Sequence, residues 1–415
     1  MNVLQINNCH YDRGGADIVY LNTIELLEQN GYNVICFSTK NEKNKKNKFE
    51  KYFTPAPDFN NTNFLKKFLN IPRFIFSFST IANLNALLKK YNPDIAHIHL
   101  YKGGLTSSIL KVLKKNKIPI IISVHDYGLL DPHNLLLDGN LNITEKTING
   151  SPFNAFLDKH NRNSYLYSFI SYLEYSFHSF FLPFDKYFDT VLCVSSFSKS
   201  LHSSSSRFNF NLRHLYNFSP MVKHKISNKK NNNERYILFF GRLSKEKGVL
   251  TLIKAYENLQ TSYTLKILGT GSMESELKEY VKENNLKNIE FLGHIGGQAL
   301  ISHIKNAYVV IVPSEWYENN PMTIIESYAL SVPVIGSSIG GIPEIIQNGS
   351  TGYTFEMSNV NDLCDKLNLM LSLTKDEYEN FKINCFEFAK NNFSEDVYFE
   401  TLVSLYSETI NNYEK

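Results

Sequence analysis

The chain has little of several things that would narrow its role at once. Among 415 residues there is a single tryptophan, five cysteines with no CxxC pair, and no uncharged apolar stretch long enough to be a spanning helix. The odd cysteine count and scattered spacing argue against both a disulfide framework and a zinc site. Cys36 and Cys193 sit inside apolar, strand-like runs and are expected as small buried hydrophobes in a reducing compartment. Charge of one sign is also lacking: 43 Lys and Arg against 40 Asp and Glu leave +3, too little for a general nucleic-acid footprint, so no nucleic-acid partner is expected. The chain opens on Val3-Leu4-Gln5-Ile6, a strand pattern and not a basic-then-apolar signal, so a cytoplasmic location is expected.

What is present is core material. Hydrophobic residues make up 43% and charged residues 20%, which excludes disorder along the whole chain and suits two domains. Short apolar runs alternate with helical patterns throughout. Val3–Ile6, Val34–Phe37, Ile95–His99, Ile118–Val124 and Thr190–Val194 read as strands, and 16–29 carries apolar residues at the spacing of one helix face. Near 216–235 the rhythm breaks, at Asn217-Phe218-Ser219-Pro220 and the polar run Asn228–Asn233. It restarts with Tyr236–Phe240, Thr264–Leu268, Ile289–Leu292, Tyr308–Val312 and Val332–Ile335. Continuous apolar strands between amphipathic helices predict α/β architecture with parallel sheets covered on both faces. The boundaries expected are a first doubly wound domain over 1–218, a linker over 219–234, a second domain over 235–395, and a helix over 396–415 packing back toward the first. Two such domains facing across a cleft would hold a ligand at the carboxyl ends of their strands.

Two segments carry the chemistry. The first runs from Pro313 to Glu326, after a strand and into a helix. Pro321 suits the first helical position and Asn320 a cap, which would leave the N–H groups of Met322 and Thr323 to favour a phosphate. Glu318 precedes that helix and Glu326 lies about one and a half turns inside it, and a carboxylate can accept two hydroxyls of a sugar or ribose. The second is Gly241-Arg242-Leu243-Ser244-Lys245-Glu246-Lys247-Gly248, directly after a strand. There Arg242 offers a planar fork and Lys247 a mobile point charge to a diphosphate.

Glu318, seven residues, then Glu326, with the Gly241–Gly248 loop upstream and Gly340-Gly341-Ile342-Pro343-Glu344 downstream, resembles the retaining nucleotide-sugar glycosyltransferases of the large "group one" family. The resemblance implies the GT-B fold of two Rossmann-like domains. It implies that Glu326 binds ribose hydroxyls, Glu318 holds sugar hydroxyls, Arg242 and Lys247 take the diphosphate, and the backbone from Asn320 to Thr323 with Gly241 completes the phosphate site. The turn at His294-Ile295 resembles the family's base-contacting backbone. In the first half, Gly14-Gly15-Ala16-Asp17 looks like the family's glycine loop, and Pro93–His99 and Val124-His125-Asp126 like its strand ends. That implies a sugar contact for His125 and a close backbone approach at Gly15, whereas His97 and His99 are expected to be structural. The loop after Glu318, Asn319-Asn320-Pro321-Met322, departs from the family's glycine-rich form, and 131–164 matches nothing in it.

The expected activity is retaining transfer of a hexosyl or N-acetylhexosaminyl group from a nucleotide-diphosphate donor to a growing bacterial surface glycan, lipid-linked acceptors included. No cofactor and no metal are expected, since no Asp-x-Asp stands at a strand end. The alternatives are a non-catalytic nucleotide-sugar-binding partner of another transferase and a sugar-nucleotide epimerase of the same fold. Basic and aromatic residues in 64–76, with six Lys and two Glu over 40–51, suggest peripheral contact of the first domain with the inner face of the cell membrane.

Overall fold

A computed structural model describes residues 1–57, 64–223 and 235–413. The polar run Asn228–Asn233 and most of the expected linker lie outside the described residues. The chain divides into two units, one of 1–215 with 399–415 and one of 216–398.

In the first unit six strands form one parallel sheet: β1 (Asn2–Ile6), β2 (Asn33–Phe37), β3 (Ile95–Ile98), β4 (Ile120–Val124), β5 (Thr190–Cys193) and β6 (Leu212–His214), in the order β2-β1-β3-β4-β5-β6. β1 pairs with both β2 and β3, Val3 lying opposite Val34 on one side and Ile95 on the other. β3 and β4 are buried at every position, as strands covered on both faces must be. β6 is not evident in the sequence, because three half-buried residues give no apolar run. β6 ends at His214, ahead of the break in rhythm at Asn217–Pro220.

The second unit repeats the design with β7 (Tyr236–Phe240), β8 (Thr264–Leu268), β9 (Ile289–Gly293), β10 (Val309–Val312), β11 (Val334–Ser337) and β12 (Gly352–Phe355). Their order is β12-β11-β10-β7-β8-β9, again all parallel. Two apolar clusters, one around Leu252, Ile253 and Leu367 and one around Ile324, Tyr328 and Phe393, fill the two faces of this sheet. Residues 216–223 pack within this unit: the Ser219 N–H donates to the Phe393 carbonyl at 3.1 Å. Part of the expected linker is therefore built into the second unit.

The last helix, Glu395–Tyr413, belongs to the first unit from Phe399 onward. Thr409 shares a hydroxyl hydrogen bond with Thr190 at 2.8 Å, Glu408 pairs with Arg213, and Tyr406 is fully buried.

Each sheet has one point where the winding reverses, between β1 and β3 and between β7 and β10. At such a point the loops from adjacent carboxyl ends diverge and leave a crevice for ligand.

Candidate active site

In the second unit, β7 and β10 lie side by side and point the same way, so Gly241–Gly248 and 313–320 emerge together. Gly248 is left-handed (φ +65°), and a Cβ there would meet the Pro313 carbonyl, so glycine lets the loops touch. The contact brings Lys247 to Glu318. Lys247 Nζ donates to Glu318 Oε1 at 2.6 Å, Ser314 Oγ donates to the same oxygen at 2.8 Å, and the ammonium lies 5.1 Å from the Trp316 ring centre. Burial pushes the Glu318 carboxyl up, but the Lys247 charge and the bonds from Lys247 and Ser314 outweigh it and hold the group below its usual range. Glu318 is thus ionised and fixed. Its backbone is fixed as well: the Gly341 N–H donates to its carbonyl at 2.7 Å, and Gly340 (φ +59°) packs on its peptide with no room for a Cβ.

The helix after this loop is Met322–Ala329. It begins one residue later than expected, with Pro321 in the capping position at φ −66° and ψ 116°, and Asn320 does not cap it. The Asn320 side chain is drawn away by Asn217, whose N–H donates to Asn320 Oδ1 at 2.8 Å. The Asn320 amide nitrogen remains buried, with no partner among the described residues. Among the described residues the N–H groups of Met322 and Thr323 have no backbone acceptor, since the Pro321 carbonyl takes the N–H groups of Ile324 and Ile325. This helix end gathers donors for an anion.

Glu326 is the fifth residue of that helix, nearer its start than expected, and is 9% exposed. Burial alone pushes its carboxyl up to about 7. In contrast to Glu318, it has no cation beside it among the described residues. A buried carboxylate without a partner is costly unless a ligand supplies donors.

Arg242 is exposed and bonded to Glu246 at 2.9 Å and Ser244 at 3.3 Å, an i,i+4 pair weak enough to open for a stronger anion. Gly241 (φ +154°) directly follows β7. His294 is exposed and Ile295 half-buried, both just after β9.

The other two candidates lie in the first unit. Gly14 caps the Gly15–Gln29 helix in an extended conformation, so Gly15 begins the helix beyond the end of β1. Asp17 is anchored by Asn7 at 2.8 Å. His125 follows β4 and lines a cavity of about 110 Å³ together with Asn8, Arg13, His99, Lys102 and Asn134. The Asp131–Ser164 segment, unmatched in the sequence, folds onto this region. Its buried Asp131 accepts from His160 and Thr147, each at 3.0 Å. Burial would raise the Asp131 carboxyl, and the His160 hydrogen bond and charge hold it low. Among the described residues no three His, Cys, Asp or Glu side chains are grouped to hold a metal ion.

Several supporting residues carry no signal in the sequence. Ser314 and Trp316 flank Glu318 within one loop and look like any polar and aromatic pair. Gln5 and His99 join His125 only through strand register. Gly340-Gly341 is legible as a motif, yet its service to Glu318 is not.

The description "Glycosyl transferases group 1" matches residues 222–387, and "Glycosyltransferase Family 4" matches 13–217. An uncharacterized glycosyltransferase of Methanocaldococcus jannaschii is 24% identical over 355 residues, 85% of this chain and 84% of that one. A capsular polysaccharide biosynthesis glycosyltransferase of Staphylococcus aureus is 25% identical over 42% of this chain, which spans about half, 47%, of that relative. Among solved structures, sucrose-phosphate synthase of Thermosynechococcus elongatus matches with a TM-score of 0.71, 17% identity and 99% of both chains covered. Anabaena HepE in complex with UDP-glucose matches with a TM-score of 0.68, 16% identity, and coverage of 98% of this chain and 100% of that one. The two parallel six-stranded sheets are those of the GT-B fold. With both halves matched and the signature residues at the winding reversals, this chain belongs to the group 1 glycosyltransferases.

Proposed function

We propose that the protein transfers a sugar from a nucleoside-diphosphate donor to a growing surface glycan, with retention at the anomeric carbon. The observation that carries this reading is the contrast at the β7–β10 reversal: a paired, ionised Glu318 and a buried Glu326 with no cation among the described residues, next to a helix start whose first N–H groups have no backbone acceptor among them. A ribose diol would satisfy Glu326, the diphosphate would take the N–H groups of Met322 and Thr323 with Arg242 and Lys247, and Glu318 would hold sugar hydroxyls. Charge that develops on the departing diphosphate is then met by Lys247, Arg242 and the helix end. The acceptor attacks on the face the diphosphate leaves, and His125 of the first unit is read, from the family resemblance, as a sugar contact. HepE was solved with UDP and UDP-glucose, and the S. aureus relative serves capsular polysaccharide biosynthesis, which supports a UDP-sugar and a glycan acceptor. The test is release of free nucleotide from UDP-, GDP- and ADP-sugars by the purified protein. Hydrolysis of one donor is the expected result. Silence across the panel, with no rise in melting temperature on adding any nucleotide, would refute it.

The same reading includes contact between the first unit and an anionic membrane. The Tyr165–Phe181 helix exposes Tyr165, Leu166, Phe169, Phe180 and Phe181, and Phe78 is 79% exposed. Its one acid, Glu174, is buried, while Lys159 and Arg162 lie over Tyr165 and Tyr167 at its start. Apolar aromatics flanked by cations suit a headgroup boundary. This surface differs from the one the sequence suggested. In the lysine-rich 40–51 loop Lys45 is pinned by its backbone to His10, Phe49 is core, and the side chains of 64–69 lie outside the described residues. Sedimentation with acidic liposomes should capture the protein, and Phe180→Ser with Phe181→Ser should release it. Wild type left wholly in the supernatant would end the membrane reading.

A further inference from the structure

We infer that a buried relay from Tyr406 through Gln5 and His99 fixes His125 in its Nε2–H tautomer, leaving Nδ1 as a bare lone pair toward ligand. Gln5, His99 and Tyr406 are then positioning residues for transfer, an assignment that rests on the reading of His125 as a sugar contact.

The relay begins with strand register. Gln5 of β1 lies opposite His97 of β3, so Gln5, His97 and His99 share one side of the sheet. Gln5, His97 and Tyr406 are fully buried, and His99 is 2% exposed. Burial pushes His97 down to about 3 and His125 to about 4, and holds His99 well below the usual imidazole range. Each ring is therefore neutral near pH 7 and carries a single N–H, which makes the direction of every bond count.

His97 Nε2 lies 2.8 Å from Ser123 Oγ and its Nδ1 lies 2.7 Å from the Tyr406 hydroxyl. With Tyr406 donating to Nδ1, the phenol oxygen is left to accept, and the Gln5 amide nitrogen donates to it at 3.1 Å. That orients Gln5 with its carbonyl oxygen toward His99 Nε2, at 3.2 Å, so His99 carries its proton there. His99 Nδ1 is then an acceptor, and His125 Nε2, 3.0 Å away, must be the donor. The ring planes of His99 and His125 agree within 10° and their centres are 5.3 Å apart, the in-line geometry of an N–H aimed at a ring lone pair. The ring nitrogen of His125 left for a ligand is Nδ1, without a proton. It accepts from a hydroxyl or N–H and rejects a bare phosphate or carboxylate oxygen.

The test is the tautomer itself. Protein labelled with ¹⁵N-histidine is read by multiple-bond ¹H–¹⁵N correlation at neutral pH, with His125 assigned by the signal lost in His125→Gln. The expected spectrum shows His125 protonated on Nε2 alone. Gln5→Leu removes the amide whose oxygen faces His99 Nε2, so His99 loses its set direction and His125 should become a mixture of both tautomers. Transfer should fall about tenfold, the effect of one misdirected hydrogen bond. Tyr406→Phe leaves the Gln5 amide nitrogen its 3.4 Å contact with His97 Nδ1, so it should give a smaller share of the second tautomer. His125 protonated on Nδ1 in the wild type, or a single Nε2–H form that persists in folded Gln5→Leu, would overturn the relay. A confirmed tautomer with full transfer by His125→Gln would leave the relay standing and overturn the sugar contact.

Discussion

Lys247→Ala is expected to lower transfer about 10²- to 10³-fold, the effect of removing one preorganised donor from a site where charge develops. Lys247 is held at the β7–β10 reversal by its 2.6 Å bond to Glu318 and is more buried than Arg242. The loss should fall mainly on kcat, because the diphosphate carries more charge as the glycosidic bond breaks than it does in the bound donor. The variant also leaves Glu318 buried without its cation, so its melting temperature should drop. Stability and chemistry separate in the double variant. Lys247→Ala with Glu318→Gln removes the stranded charge and should recover most of the melting temperature with no recovery of transfer. Turnover near that of the wild type in Lys247→Ala would falsify the assigned site.

The second large effect concerns Glu326 and has opposite signs for stability and for activity. Its carboxyl is raised by burial from an ordinary 4.5 to about 7. For a group raised on folding, the stability is fully present below the ordinary value and is lost as pH rises through the folded value. The wild type should therefore lose about 3 kcal/mol between pH 4.5 and 7 through this one residue. Glu326→Gln keeps the shape without the charge and should melt higher than the wild type at pH 8, with the advantage vanishing near pH 4. Glu326→Ala should lose about 10²-fold in kcat/KM, since a diol gives the carboxylate two charge-assisted hydrogen bonds. Equal melting temperatures for wild type and Glu326→Gln across this pH range would show that Glu326 is not strained, and that argument for a ligand there would fail. A charge retained against stability is the mark of a residue kept for binding.

Both predictions touch residues that the amino-acid sequence alone makes legible, and the reason is physical. A diphosphate site at a winding reversal needs a strand, a tight loop, cations and a helix start close together in sequence. Gly241–Gly248 and 313–326 are each continuous stretches, so local spacing carries them. Most strands are legible for a similar reason, since apolar runs such as Ile120–Val124 are buried on both faces and have no alternation to confuse them. The edge strands β6 and β12 leave a weaker trace because fewer of their residues are buried. Propensity misplaces the start of the Met322–Ala329 helix, because it favours Asn320 as the cap while Asn217, 103 residues earlier, claims that side chain.

Family, parallel α/β class and the two loops proposed to meet a diphosphate all follow from the order of amino acids, because they depend on short-range patterns of burial, charge and backbone freedom. How those residues are charged and aimed follows only from the folded chain. Glu318 and Glu326 are the same residue type eight positions apart, yet one is held low by Lys247 and the other raised by burial. His97 and His99 read as structural, and only the meeting of β1, β3 and the last helix joins them through Gln5 and Tyr406 to His125. Partners 92 and 401 residues apart leave no periodic trace in a chain, since what couples them is low dielectric and hydrogen-bond direction in a shared interior.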